Sequence, residues 1–190
     1  IDILNQLAEQ QRWSVNTQHM TLTTDTPNNS MVYKMRTQMV TNDDGLYAHA
    51  RFLNPSDVEN TQVTWIDRKE GEDEMWLFLP ALGRVTTLKD SSRNRAFMGS
   101  DFQFEDFALF TTPQVHALLD ETDTQWRIKS TPKSTNTPYS FWVTTLNKKT
   151  NLPTNVELFI DGSIVKTLTI TEDSLANKTP SNMTMHTLAT

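Results

Sequence analysis

Residues 156–170 read "VELFIDGSIVKTLTI". Val156, Leu158 and Ile160 alternate with other residues up to Asp161-Gly162, and Ile164, Lys166, Leu168 and Ile170 alternate away from it. Period two is the strand period, and an Asp-Gly pair between two such runs is the strongest local signal for a β-hairpin, because both turn positions need φ > 0. The same period recurs towards the N-terminus. Met31, Tyr33, Met35 and Met39 share one strand face, with Lys34, Arg36 and Gln38 on the other. Leu46, Ala48, Ala50 and Phe52 alternate with Tyr47, His49 and Arg51; Val63 and Trp65 with Gln62 and Thr64; Trp126 and Ile128 with Arg127 and Lys129. Gly45, Gly71, Gly83, Gly99 and Gly162 fall between extended runs and read as turns.

Three stretches predict helix. Residues 2–12 place Ile3, Leu4, Leu7 and Ala8 on one stripe. "TPQVHALLD" (112–120) begins with Thr112 as N-cap and Pro113 at the first helical position. A short piece follows Gly99. The sum is a mainly β chain, one large antiparallel sheet of roughly ten strands with a few covering helices, which must curl or close to protect its edges.

At 190 residues the chain fits a single domain, 1–190. Its net charge of −6 and pI near 5.2 argue against nucleic acid as a partner. The absence of cysteine excludes a disulfide-linked partner and a thiolate metal site. Its longest apolar run, "MWLFLPAL" (75–82), is far short of the ~18 residues of a membrane-crossing helix. The chain starts at Ile1, which is consistent with a removed signal peptide.

The eight methionines are unusual for a tightly filled interior. Methionine packs cores, but it also lines surfaces that adapt to varied apolar partners. Met31, Tyr33, Met35, Met39, Phe52 and Trp65, with Met183 and Met185 on one face of the last strand, are therefore the candidate lining of an apolar cavity.

No catalytic motif appears: no G-x-S-x-G, no phosphate loop, no H-E-x-x-H and no EF-hand spacing. The four histidines are scattered. "FMGSDFQFED" (97–106) carries three carboxylates, Asp101, Glu105 and Asp106, without regular calcium-loop spacing, and a Ser100-Asp101 pair without a visible base. It reads better as a structural corner, with Gly99 in the turn, Ser100 and Gln103 as a capping box, and Phe97, Phe102, Phe104 and Phe107 as anchors. "LGRVTTLKDSSRNRAF" (82–97) concentrates Arg84, Lys89, Arg93 and Arg95 in an acidic chain; it is either a solvated strand and loop or a contact for an anionic headgroup or an acidic partner. The three Asn-x-Ser/Thr sequons at Asn28, Asn177 and Asn182 are expected by chance in so Asn- and Thr-rich a chain.

"MWLFLPALGRV", "FMGSDFQFEDF", "IDGSIVKTLTI" and "KTPSNMTMHTL" together resemble the LolA-like outer-membrane lipoprotein-sorting proteins of Gram-negative bacteria, and most closely their less characterised branch. The resemblance implies a half-open, incomplete antiparallel β-barrel of the LolA/LolB type, capped by helices around an apolar cavity for acyl chains. It implies a periplasmic carrier, exported by a removed signal peptide and working with an inner-membrane transporter. The cargo would be an acylated lipoprotein, a free lipid or a hopanoid-like molecule, carried without catalysis, cofactor or metal. Acyl contacts in the family are spread over apolar side chains, so no single residue transfers as a mark. Arg84, Arg93 and Arg95 are the expected contacts to a headgroup or partner. The family usually has a Lys-Gly pair where this chain has Glu59-Asn60. Two other functions stay in view: a lipid hydrolase using Ser100-Asp101, and an envelope sensor or scaffold that binds a protein partner through an exposed apolar patch.

Overall fold

The computed structural model describes residues 14–26, 29–68, 70–89, 94–109, 114–133, 137–171 and 182–188. The expected helix over residues 2–12 lies outside them. Among the described residues there are twelve strands and three short 3₁₀ turns. The strands form two six-stranded antiparallel sheets rather than one, and the chain divides into two units, one spanning Ala8–Thr112 and the other built on Pro113–Thr190. After the sixth strand the described chain forms the aromatic corner, where Ala96 and Gln103 make an isolated bridge. Among the described residues neither sheet closes on itself, and the helical elements are the three short 3₁₀ turns.

The first unit is a meander of β1 (Ser14–Thr26), β2 (Asn29–Asn42), β3 (Gly45–Asn54), β4 (Gln62–Arg68), β5 (Glu74–Leu79) and β6 (Arg84–Thr87), each beside its sequence neighbour. The alternation read from the sequence is the alternation of burial. Tyr33, Met35 and Thr37 are buried while Val32, Lys34, Arg36 and Gln38 are exposed; Leu46, Ala48, Ala50 and Phe52 are all buried. In the β2–β3 turn the Asn42 Oδ1 accepts hydrogen bonds from the Asp44 and Gly45 N–H groups at 2.9 and 3.1 Å. Gly45 then lies at φ 149°, where a Cβ would stand 2.0 Å from the Asp67 carbonyl oxygen of β4. Only glycine lets β3 and β4 approach so closely there.

The second unit is the meander β7 (Gln114–Glu121), β8 (Gln125–Pro132), β9 (Phe141–Asn147), β10 (Leu152–Ile160), β11 (Ser163–Thr171) and β12 (Asn182–Thr187). The Asp161-Gly162 turn is as expected: Ile160 pairs with Ser163, and both turn residues have positive φ (50° and 82°). Val156, Leu158, Leu168 and Ile170 are buried on the inner face with Trp142. Lys166, on that same alternation, is buried too, with its Nζ 6.0 Å from the Tyr139 ring.

The expected helix at 112–120 is instead strand β7 from Gln114 on. Val115, Leu118 and Leu119 imitate a helical stripe, but the spacing comes from a β-bulge between Leu118 and Asp120 that breaks the period of two. A tight turn holds the strand to β8: the Thr122 Oγ accepts from the Gln125 N–H at 3.1 Å, and the Thr122 N–H donates to the Gln125 carbonyl at 2.9 Å.

Candidate functional site

The inner face of the first sheet carries an apolar cluster. Tyr33, Met35, Ala50, Phe52, Val63, Met75 and Phe97 are buried in it, and Met20, Met31, Met98 and Trp65 pack at its margin. Five of the eight methionines thus meet in one cluster. The register explains why: Met20 lies opposite Met35 and Met35 opposite Phe52, so alternation on β1, β2 and β3 points all three to the same side.

The cover over this face is the 97–107 corner. Phe97 is 2% exposed and sits among the rings of Phe52, Phe104 and Phe107, with centroids 5.9, 5.1 and 5.0 Å away. Phe107 also packs on Trp65 at 5.7 Å and stacks on Phe102 at 5.8 Å. Edge-to-face and offset pairs of this kind each add about 0.5–1.5 kcal/mol to the gain from burial. The anchoring role expected for the four phenylalanines is what the structure shows.

The capping differs from expectation. Ser100 begins no helix. Its hydroxyl donates to the Phe97 carbonyl at 2.6 Å and accepts from the Phe102 N–H at 3.2 Å, closing the turn made by Met98 (φ 54°) and Gly99 (φ 73°). The cap lies three residues on: the Asp106 carboxylate accepts from the Gln103 N–H at 2.7 Å at the start of the 3₁₀ turn Phe104–Ala108. A serine oxygen contracting its own turn outcompetes a helix start that would need it extended. Asp101 is exposed while Glu105 and Asp106 are buried, and no group of three or more His, Asp or Glu side chains among the described residues could share a metal ion.

Of the residues expected to line a cavity, Tyr33, Met35, Phe52, Met31 and Trp65 come together in this cluster. Met39 is half-buried, opposite Ala48 and outside it. Met183 and Met185 belong to the second unit, Met185 buried opposite Leu168 and Met183 exposed opposite Ile170. Sequence reading missed Met20, set in a Thr-rich strand, and Met75, whose alternation is hidden in the uniformly apolar "MWLFL". Arg84, Lys89 and Arg95 are exposed, and Arg93 lies outside the described residues.

Two histidines hold strands together. His49 Nδ1 shares a hydrogen bond with the Thr64 hydroxyl at 2.9 Å, and His116 Nδ1 one with the Ser130 hydroxyl at 2.9 Å. Burial pushes the His116 pKa down; burial, and then the Arg51 charge, do the same to His49. At the Glu59-Asn60 turn, Asn60 adopts φ 66° and its Oδ1 accepts from Arg51 Nη2 at 2.6 Å. Asn is one of the few side chains that visits this glycine-favoured region.

The fold of this chain, mainly β in two antiparallel meanders, has counterparts among solved structures. The chain is 25% identical to a domain from Vibrio parahaemolyticus described as an outer membrane lipoprotein-sorting protein, with a TM-score of 0.80 over 90% of this chain and 76% of that one. A DUF1329 family protein from Desulfovibrio piger (22% identity, TM-score 0.78, 88% and 75% covered) and a LolA superfamily protein from Nitrosomonas europaea (16%, 0.72, 99% and 85%) share the fold. No curated protein matches the chain. The fold is LolA-like, and residues 45–190 match the model of a family described as uncharacterized protein, to which the chain belongs.

Proposed function

We propose that the protein is a periplasmic carrier that holds the acyl chains of a lipoprotein or a lipid against the methionine-rich face of its first sheet and passes the cargo towards the outer membrane without catalysis. The observation that carries this reading is the gathering of Met20, Met31, Met35, Met75 and Met98 around one apolar face, in a chain whose Vibrio parahaemolyticus relative is named for lipoprotein sorting. Flexible thioethers reshape around chains of different length at little strain. Each buried CH₂ contributes about 0.8 kcal/mol, so a partly inserted chain already binds usefully.

The face is occupied by the chain's own Phe97, Phe102, Phe104 and Phe107. Cargo therefore displaces part of the corner, and the corner, returning, drives release. An inner-membrane transporter would supply the loading step.

Native mass spectrometry of the protein isolated from its own host tests the reading. Adducts with lipid or lipoprotein masses are expected, together with uptake of a fluorescent fatty acid that Met31→Glu weakens. Met31 is the position to change because it lies at the cluster margin, whereas a charge at Met35, 4% exposed, would unfold the core. A bare protein that also fails to take up the probe would overturn it.

A further inference from the structure

The first sheet has a second apolar surface, on the side away from the methionines. Thr64 pairs with Trp76, Gln62 with Phe78, and Phe78 with Val85, so these five side chains share one face of β4, β5 and β6. They line an open groove of about 240 Å³. That is below the ~300–1,000 Å³ of small-molecule sites and suits one or two side chains.

Among the described residues, the groove ends at an unpaired strand edge. β6 is the terminal strand of its sheet, and all four of its residues are exposed, Val85 at 63%. The Leu88 N–H donates to the Met75 carbonyl at 2.8 Å. Antiparallel pairs alternate between hydrogen-bonded and non-bonded, so Thr86 and Arg84 also turn their backbone groups towards β5. Val85 and Thr87 therefore present their N–H and C=O groups outward. Edges are commonly blunted by bulges. β7, at an edge of the second sheet, has one between Leu118 and Asp120, whereas β6 keeps an unbroken register from Arg84 to Thr87.

Charge names the occupant. Arg84, Lys89 and Arg95 are exposed, and none makes an ion pair among the described residues, in a chain of net charge −6. We propose that the β6 edge and its Trp76-Phe78-Val85 groove dock an extended acidic segment of a partner protein, which joins the sheet as a seventh strand. Its backbone pairs with Val85 and Thr87. One aromatic or branched side chain crosses Val85 onto Phe78 and Trp76, and its carboxylates meet Arg84 and Lys89. Backbone pairing supplies affinity in this mode and the side-chain pocket supplies selectivity, while the cations speed encounter. The inference stands independently of the acyl-binding reading, since it uses the opposite face of the sheet.

The test pans a phage-displayed library of eight-residue peptides against the intact protein, then synthesises the enriched sequence. Enrichment of Asp and Glu alternating with an aromatic or branched aliphatic residue is expected, with amide-exchange protection at Val85 and Thr87. Val85→Pro is the sharpest variant, because the lost N–H points away from β5 and an edge strand tolerates proline there. It should keep the melting temperature within a few degrees and weaken the peptide by at least about tenfold. Lys89→Glu, at an exposed loop position, should do the same without touching the ladder. No enrichment, enrichment of non-acidic sequences, or binding indifferent to both variants would overturn the proposal. So would phosphatidylglycerol vesicles that bind through Lys89 and are not displaced by the peptide, a result that would assign the edge to a membrane surface.

Discussion

Phe97→Ala separates a cover that merely packs from one that yields to cargo. Phe97 is 2% exposed and touches three other rings. Removing a side chain so enclosed costs about 3–5 kcal/mol. At about 2–4 °C per kcal/mol for a chain of this length, the melting temperature should fall by roughly 6–20 °C. The effect on binding has the opposite sign. In the wild-type chain an acyl group entering under the corner must return the Phe97 ring to water, which costs about 1.5–3 kcal/mol. In the variant that cost is gone and a cavity is already open. Affinity for a fluorescent fatty acid should therefore rise by roughly ten- to a hundredfold. The assay is a probe titration beside a urea melt, both at a temperature where the variant is fully folded. A variant that loses stability as expected but binds the probe no better, or worse, would show that acyl chains do not enter beneath the corner, and the release mechanism would fail with it.

Asn60→Ala should lower stability by about 1–2 kcal/mol in urea, since alanine at φ 66° is strained and the Arg51 contact is lost, whereas Asn60→Gly should be milder because it removes the strain; equal losses would mean that the Arg51 contact, not the backbone, sets the residue. Stability should also fall with acidity. Because burial holds His116 and His49 below their ordinary value, the unfolded chain takes up protons near pH 6.5 while the folded chain does not, so stability is whole above about 6.5 and declines as the pH falls towards the lowered folded values. His116→Gln should flatten that decline in melts from pH 8 to 5, and an unchanged slope would put its origin elsewhere.

The strand faces were legible because burial follows a rigid period of two. Wherever a face is polar on one side, as at Lys34, Arg36 and Gln38, the sequence states the inside and the outside together. Legibility failed where the pattern lost contrast. "MWLFL" is apolar on both faces, because one side meets the methionine cluster and the other forms the Trp76-Phe78 groove, and no alternation separates them. β7 misleads for a different reason: its bulge between Leu118 and Asp120 breaks the period of two, and Thr112-Pro113 carries a helix start signal. The phenylalanines of the corner were recognisable as anchors, yet nothing in their spacing told that they would cover the methionine face. That follows from the chain path and not from any local preference. The number of sheets was out of reach for the same reason, since it depends on whether β6 finds a further partner.

Among the described residues, every one of the ten strand pairings joins sequence neighbours. β proteins fold slowly as a class because distant segments must find each other, and the entropy of closing those loops is lost before any contact forms. Here each strand lies down beside the one made just before it. A chain emerging from its N-terminus can therefore build β1 to β6 in order, then β7 to β12, never waiting for a partner still to emerge. At each moment the growing sheet offers one new open side, and the next segment to appear is the one that fills it, which leaves little time for a neighbouring molecule to pair there instead.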